Sequence, residues 1–469
     1  MTQLNKRLHS LRMPDVGVYF LTALLAAAYV LLWNKYRPYN IDDSWFSSFS
    51  YNLCHKHSEL DDAFGGRFPN GMGGTVVFGK LAAYPQCVLY DLFGWTLTSL
   101  QIFAKLTSLG GVILIALALL KAGFERSLVW LFVISFIAME PFFNMANQGR
   151  YESVTFLFMG AALLLVSYGR ITFAGFISAA AVEIQPIGIV VPLFAAIFLL
   201  TTRPGSRREM VRSCLRLAAG GLAFVPFYFL LHPNAMDAIT HPDKGGTGNE
   251  IYLLGFLHNY FIDAKYYRHI PELALFTISI FLYIKNRNKI DNKFAIYSFI
   301  SLTTLSLVTG WGNFNYTVFW YFPALLLAFQ IAQSYRMAAW LCLVLLLYVV
   351  PQYAVAYMLN RHSGFTQADI TKISEQIRKV AATDQRPLNI FGDYALWFAD
   401  PTHYNVAGLG TVNRAGLATM AVCRDVTQKY LLSCDQIGQL VKLVPVSIVD
   451  LPSSKVKLFL TEATVSPQR

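Results

Sequence analysis

Residues Val16–Trp33 read VGVYFLTALLAAAYVLLW, and shortly beyond them the chain continues Tyr39-Asn40-Ile41-Asp42-Asp43-Ser44-Trp45-Phe46. Eighteen residues without a charge, Thr22 being the one hydroxyl-bearing aliphatic among them, are long enough for a helix to cross the hydrocarbon core of a bilayer. Lys6, Arg7 and Arg12 precede the run and place the N-terminus in the cytoplasm, so the two aspartates emerge on the far side. Composition points the same way. Only 14% of the 469 residues are charged and 55% are hydrophobic, where an ordinary soluble domain carries about 25% charge. This excludes a string of soluble domains and intrinsic disorder alike.

Ten further apolar runs follow: Leu100–Leu120, Leu128–Phe143, Val154–Tyr168, Ile171–Val182, Ile187–Leu200, Leu217–Leu231, Leu273–Ile284, Phe294–Thr309, Val318–Ala332 and Met337–Val350. The fold class is therefore a polytopic α-helical membrane protein of eleven spans. With eleven, the basic residues Lys121 and Arg126, Arg170, Arg203 to Arg216, Lys285 to Lys293, and Arg336 all fall in inside loops, which accounts for the net charge of +11 without nucleic acid as a partner. The pair Ile171–Val182 and Ile187–Leu200 admits a second reading as one long helix kinked at Pro186. Residues 1–351 form the membrane domain, with outer loops at 34–99 and 232–272, and 352–469 form an extracytoplasmic α/β domain. That domain reads as helix Ala368–Val380, strand Leu388–Phe391, helix Ala418–Leu432, and strands Val444–Val449 and Val456–Leu460. Cys54 with Cys87, and Cys423 with Cys434, are candidate disulfides on the oxidising side; ordinary buried thiols are the alternative.

The segment from Asp42 to Tyr51 predicts an amphipathic helix lying along the membrane surface. Asp42 and Asp43 are candidate catalytic residues, and helix capping by either is the bland alternative. With the topology drawn, Lys80, Lys105, Glu140, Arg150, Glu152, Glu183 and Gln185 all fall near the outer leaflet. Ionisable groups at that depth line a polar cavity or pair with one another. Snorkelling explains Lys105 alone, and a structural Arg150–Glu152 pair is an alternative to a substrate role. Carboxylates and cations together at one interface suit an amphipathic substrate with an anionic headgroup, such as a polyprenyl-phosphate sugar. The Gly-rich segment around His241 is either a loop that closes over such a site or a connector.

These features resemble the GT-C superfamily of membrane glycosyltransferases, and within it enzymes similar to protein O-mannosyltransferases and the aminoarabinose transferase of lipid A. The resemblance rests on Asp42-Asp43 after the first span, Ala83-Tyr84-Pro85 with Leu92-Phe93-Gly94-Trp95-Thr96 before the second, Arg150-Tyr151-Glu152 at the start of the fourth, and Asn315-Tyr316-Thr317 to Pro323 late in the membrane part. It implies transfer of a sugar from a polyprenyl-phosphate donor to a lipid, glycan or protein acceptor on the extracytoplasmic side, with inversion and with Asp42 as base, Asp43 being the other candidate. It adds Tyr151 and Tyr316 to the substrate-binding residues and implies no cofactor, a divalent metal being left open. Among membranes the bacterial inner membrane is favoured, since Asn-x-Ser/Thr sites are scarce in the outer loops. The rival expectations are a transporter or flippase of an amphipathic anion, which would need polar groups at mid-membrane, and a non-catalytic subunit of an envelope assembly.

Overall fold

The computed structural model describes residues 41–58, 60–61, 74–75, 78–124, 126–137, 140–202 and 205–233, a few isolated positions beyond, and five strands between 388 and 462. The span Val16–Trp33, most of the four spans after residue 272, His241, Tyr316 and Cys434 lie outside the described residues. In chain order the described helices are α1 (Ile41–His55), α2 (Lys80–Phe93), α3 (Leu97–Lys121), α4 (Arg126–Ile137), α5 (Glu140–Asn147), α6 (Glu152–Ser167), α7 (Ile171–Ile184), α8 (Val190–Thr202) and α9 (Arg207–Leu231). The hairpin partners β1 (Leu60–Asp61) and β2 (Gly74–Thr75) lie between α1 and α2.

Two helices among the described residues, α3 and α9, are long and apolar enough to cross a membrane, each spanning about 37 Å. Thr96 caps α3 by accepting from the Ser99 amide at 3.2 Å, and Ser206 with Glu209 forms a capping box that opens α9. Along α9, Leu215, Leu222, Phe227 and Leu230 are exposed on the outside of the bundle, where lipid rather than water suits them.

The break between α7 and α8 decides between the two readings of that region. Gln185 is extended (φ −163°, ψ 145°), as a residue before proline prefers, and Pro186 opens a short 3₁₀ turn, Pro186–Ile189, that reverses the chain. Two helices form, not one kinked one. Within the run Leu128–Phe143, expected as a single span, the described residues are helical on both sides of positions 138 and 139, which lie outside the described residues. Within the outer segment 34–99, residues 80–93 are helical straight through Pro85.

Packing in the bundle is close. A Cβ on Gly175 of α7 would lie 1.9 Å from the Leu217 carbonyl oxygen of α9, and one on Gly220 would lie 1.9 Å from the Thr172 oxygen. The two helices therefore touch backbone to backbone, as small residues allow in membranes. Helices α3 and α6 meet at Gly111 and Gly160 in the same manner. The core between α4, α6 and α8 is aromatic: Phe136 stacks on Phe132 at 5.7 Å and on Phe156 at 5.6 Å. Phe319 and Phe322, from the late span, pack onto the same cluster.

Beyond the bundle, β3 (Leu388–Gly392), β4 (Tyr404–Val406), β5 (Thr419–Arg424), β6 (Lys442–Asp450) and β7 (Lys455–Glu462) form one mixed sheet in the order β4-β3-β5-β7-β6. Strands β3, β6 and β7 fall where the sequence reading puts strands. The helix expected from Ala418 does not start there: Thr419–Arg424 is a strand, parallel to β3 and antiparallel to β7. A short apolar run such as Met420-Ala421-Val422-Cys423 has no period that separates helix from strand, and sheet pairing on both edges decided it. Edge strand β4 approaches α1.

Candidate active site

The helix bearing Asp42 and Asp43 does not lie along a surface. Asp43, Ser44, Phe46, Ser47, Ser48, Phe49 and Ser50 are all buried, so α1 is enclosed by protein around its first turns. Two of its serines bond back onto the helix: Ser50 Oγ lies 3.0 Å from the Phe46 carbonyl oxygen and Ser48 Oγ 3.0 Å from that of Trp45. A disulfide joins Cys54 to Cys87 and ties α1 to α2. Near it His55 Nε2 lies 2.9 Å from Asp91 Oδ1, which also accepts from Trp95 Nε1 at 2.8 Å.

Asp43 reaches across to the segment that opens α6. Its Oδ1 accepts from the Gly149 amide, and Gly149 has no room for a side chain, since a Cβ would sit 2.4 Å from Leu100 Cδ1. The following residues are those expected from the Arg150-Tyr151-Glu152 motif. Arg150 Nε donates to Glu152 Oε1 at 2.6 Å, and its guanidinium lies 5.7 Å from the centroid of the Phe46 ring. Tyr151 packs its ring 4.5 Å from that of Phe46 and donates its hydroxyl to the Phe46 carbonyl at 3.2 Å. Gln185 Nε2 donates to Glu152 Oε1 at 3.2 Å, bringing the α7–α8 turn into the same cluster. Glu152 Oε2 and Gln185 Oε1 are buried without a hydrogen-bond partner among the described residues.

Two residues before Gln185, Glu183 belongs to a second cluster. Its Oε1 accepts from the Lys80 amide at 2.8 Å and its Oε2 from the Leu81 amide at 3.2 Å, so a carboxylate caps the positive end of α2. Gly79, which begins this turn at φ 89°, has the left-handed backbone that glycine adopts without strain, and a Cβ there would strike the Tyr151 ring at 2.6 Å. His232 Nε2 lies 2.8 Å from Glu183 Oε1, with both side chains at most 1% exposed. Because that oxygen already accepts a backbone amide, the imidazole is the donor. The Lys80 ammonium donates to the Leu231 carbonyl at the end of α9.

The structure thus brings together Asp43, Lys80, Arg150, Tyr151, Glu152, Glu183 and Gln185 at one end of the bundle. Asp42 lies in the first turn of α1, and Glu140 opens α5. Lys105 is half-buried in α3, a turn and a half beyond the Leu100 that packs on Gly149. Sequence reasoning missed His232, which it treated only as the start of a loop. Its signal was available: a lone imidazole directly after the apolar run Leu217–Leu231 sits at the depth where polar side chains find partners. Among the described residues no group of three or more His, Cys, Asp or Glu side chains has the arrangement of a metal site.

An acidic helix in the first loop, packed against an Arg-x-acid segment at one end of a bundle of apolar helices, is an arrangement in keeping with the GT-C fold that the motifs resemble. The profile of glycosyltransferase family 87 matches residues 71–280, the stretch that holds α2 to α9. Among solved structures the chain is similar to ArnT from Cupriavidus metallidurans in the apo state, with a TM-score of 0.56 at 12% identity over 95% of this chain and 99% of that one. It is equally similar to the same protein bound to undecaprenyl phosphate, with a TM-score of 0.57 at 11% identity and the same coverage. The apo oligosaccharyltransferase of Archaeoglobus fulgidus follows, with a TM-score of 0.50 at 11% identity over 87% of this chain and 69% of that one. At such identities the likeness is one of fold. No curated protein matches in sequence.

Proposed function

We propose that the protein is an integral membrane glycosyltransferase that moves a sugar from a polyprenyl-phosphate carrier to a lipid, glycan or protein acceptor at the extracytoplasmic face of the bacterial inner membrane. The observation that carries this reading is the contact between Asp43 on α1 and the Gly149 amide, which sets an acidic helix start against the buried Arg150–Glu152 pair. ArnT, of the same fold, has been captured with undecaprenyl phosphate, which supports a carrier of that class here.

In this reading Asp42 is the general base, as the resemblance implies, and the bond from the Gly149 amide to Asp43 supports a positioning role for Asp43. It takes the proton of the acceptor hydroxyl as that oxygen attacks the anomeric carbon. The bond from that carbon to the phosphate oxygen breaks, and the polyprenyl phosphate leaves with the electron pair and with inversion at the sugar. Lys80 and Arg150 supply the positive charge that stabilises the departing phosphate. The C-terminal sheet, whose edge strand lies by α1, contributes to holding the acceptor.

The test is release of free polyprenyl phosphate from a panel of polyprenyl-phosphate sugars by the purified full chain with an envelope acceptor fraction. Asp42→Asn is expected to lower turnover by about 100-fold or more. Asp43→Asn is expected to lower it by about ten-fold, because an amide oxygen still accepts from Gly149 but lacks the charge. A wild-type protein that binds these lipids and releases nothing from any of them removes the transferase reading and turns attention to transport.

A further inference from the structure

Glu152 and Gln185 are 2% and 3% exposed, and each keeps one oxygen without a donor. The orientation of the Gln185 amide is fixed by chemistry. Glu152 Oε1 already accepts from Arg150 Nε, so the amide group turned toward it must be the nitrogen, which leaves Gln185 Oε1 as the open atom. The remaining oxygen of Glu152, Oε2, belongs to the same carboxylate. Each of the two side chains therefore presents an open acceptor oxygen, in an enclosed setting where unsatisfied acceptors are destabilising.

We infer that Glu152 Oε2 and Gln185 Oε1 form a subsite that accepts hydrogen bonds from hydroxyl groups of the sugar being transferred. This rests on the transferase reading above and adds to it the chemistry of recognition. An anionic substituent set against these two oxygens would meet a carboxylate and an amide oxygen where it needs a donor, whereas a sugar hydroxyl can donate to either. The location agrees, because Glu152 is three residues from the Gly149 amide that Asp43 holds, so the subsite adjoins the start of α1. Arg150, pinned to Glu152 Oε1, turns that carboxylate so that one oxygen is used structurally and the other remains open. A site built to receive a hydroxyl rejects the analogue that lacks it, because its own acceptors are then left bare.

The experiment compares kcat/KM for a polyprenyl-phosphate hexose, its mono-deoxy analogues and the matching hexuronate, using the purified full chain. Wild type should turn over the parent hexose, discriminate against one or two of the deoxy analogues by about ten-fold or more, and reject the hexuronate. In Gln185→Met and Gln185→Leu the discrimination at one of those hydroxyls should fall to about two-fold or less. Because each comparison is a ratio within one variant, partial loss of folded protein does not alter it. Equal discrimination in wild type and both variants overturns the subsite and assigns the two oxygens to buried water. Efficient transfer of the hexuronate overturns it too. If wild type releases polyprenyl phosphate from no donor, the transferase reading falls and takes the subsite with it.

Discussion

Glu152 and Glu183 are buried to the same degree, each at 2% exposure, and each stands at the end of a helix, yet their surroundings differ in kind. Glu183 has both oxygens occupied, by the backbone amides of Lys80 and Leu81 and by His232. Its partners come from α2 and from the end of α9, so it binds three elements together. Glu152 is met by two side chains on one oxygen and, among the described residues, by no donor on the other. A carboxylate saturated by main-chain donors does structural work; one left half-satisfied by flexible partners is available to a ligand. Two residues of chain separate Glu183 from Gln185, and the division between scaffold and site runs through that turn.

The comparison is broken most severely at Glu183. Glu183→Ala strands two amides and an imidazole in a buried place and should lower stability by about 3–5 kcal/mol, read as a fall in melting temperature in detergent. Next is His232→Ala, which removes a charge-assisted hydrogen bond and should lose about 2 kcal/mol by the same measurement. Gln185→Met sharpens the contrast: turnover of the hexose donor should fall about ten-fold, while melting stays within about 1 kcal/mol of wild type, since the exchange deletes a long hydrogen bond together with an unsatisfied oxygen. The smallest effect is expected from His232→Gln, whose amide nitrogen can take the place of Nε2 toward Glu183, with a change of about 1 kcal/mol or less. Should Gln185→Met unfold the protein while Glu183→Ala leaves its melting unmoved, the assignment of scaffold and site is reversed.

Much of this was legible in the residues. The order of the apolar runs located α3, α6, α7, α8 and α9, and Gln185-Pro186 marked a true reversal because proline restricts its predecessor and cannot join a helix interior. A pairing of Arg150 with Glu152 or Glu140 stood as an alternative to a substrate role, and the pair formed is the one with Glu152. What escaped were features fixed by tertiary packing. The burial of α1 depends on what surrounds it, and its own pattern of Trp45, Phe46, Phe49 and serines reads equally well as a surface helix. The strand at Thr419 was decided by neighbours on both sides of it in the sheet, from residues thirty or more positions away. The importance of His232 came from Glu183, on a helix that no local pattern could pair with it.

The close crossing of α7 and α9 bears on how a long isoprenoid could reach this end of the protein. Gly175 and Gly220 put carbonyl oxygens where side chains would otherwise stand, so at that level the seam between the helices is shut to a chain bearing methyl branches. The same two helices are joined again at their tops by Glu183 and His232. For the isoprenoid carrier proposed above, a tail arriving sideways from the lipid would have no portal at this seam, and its route would lie elsewhere around the bundle.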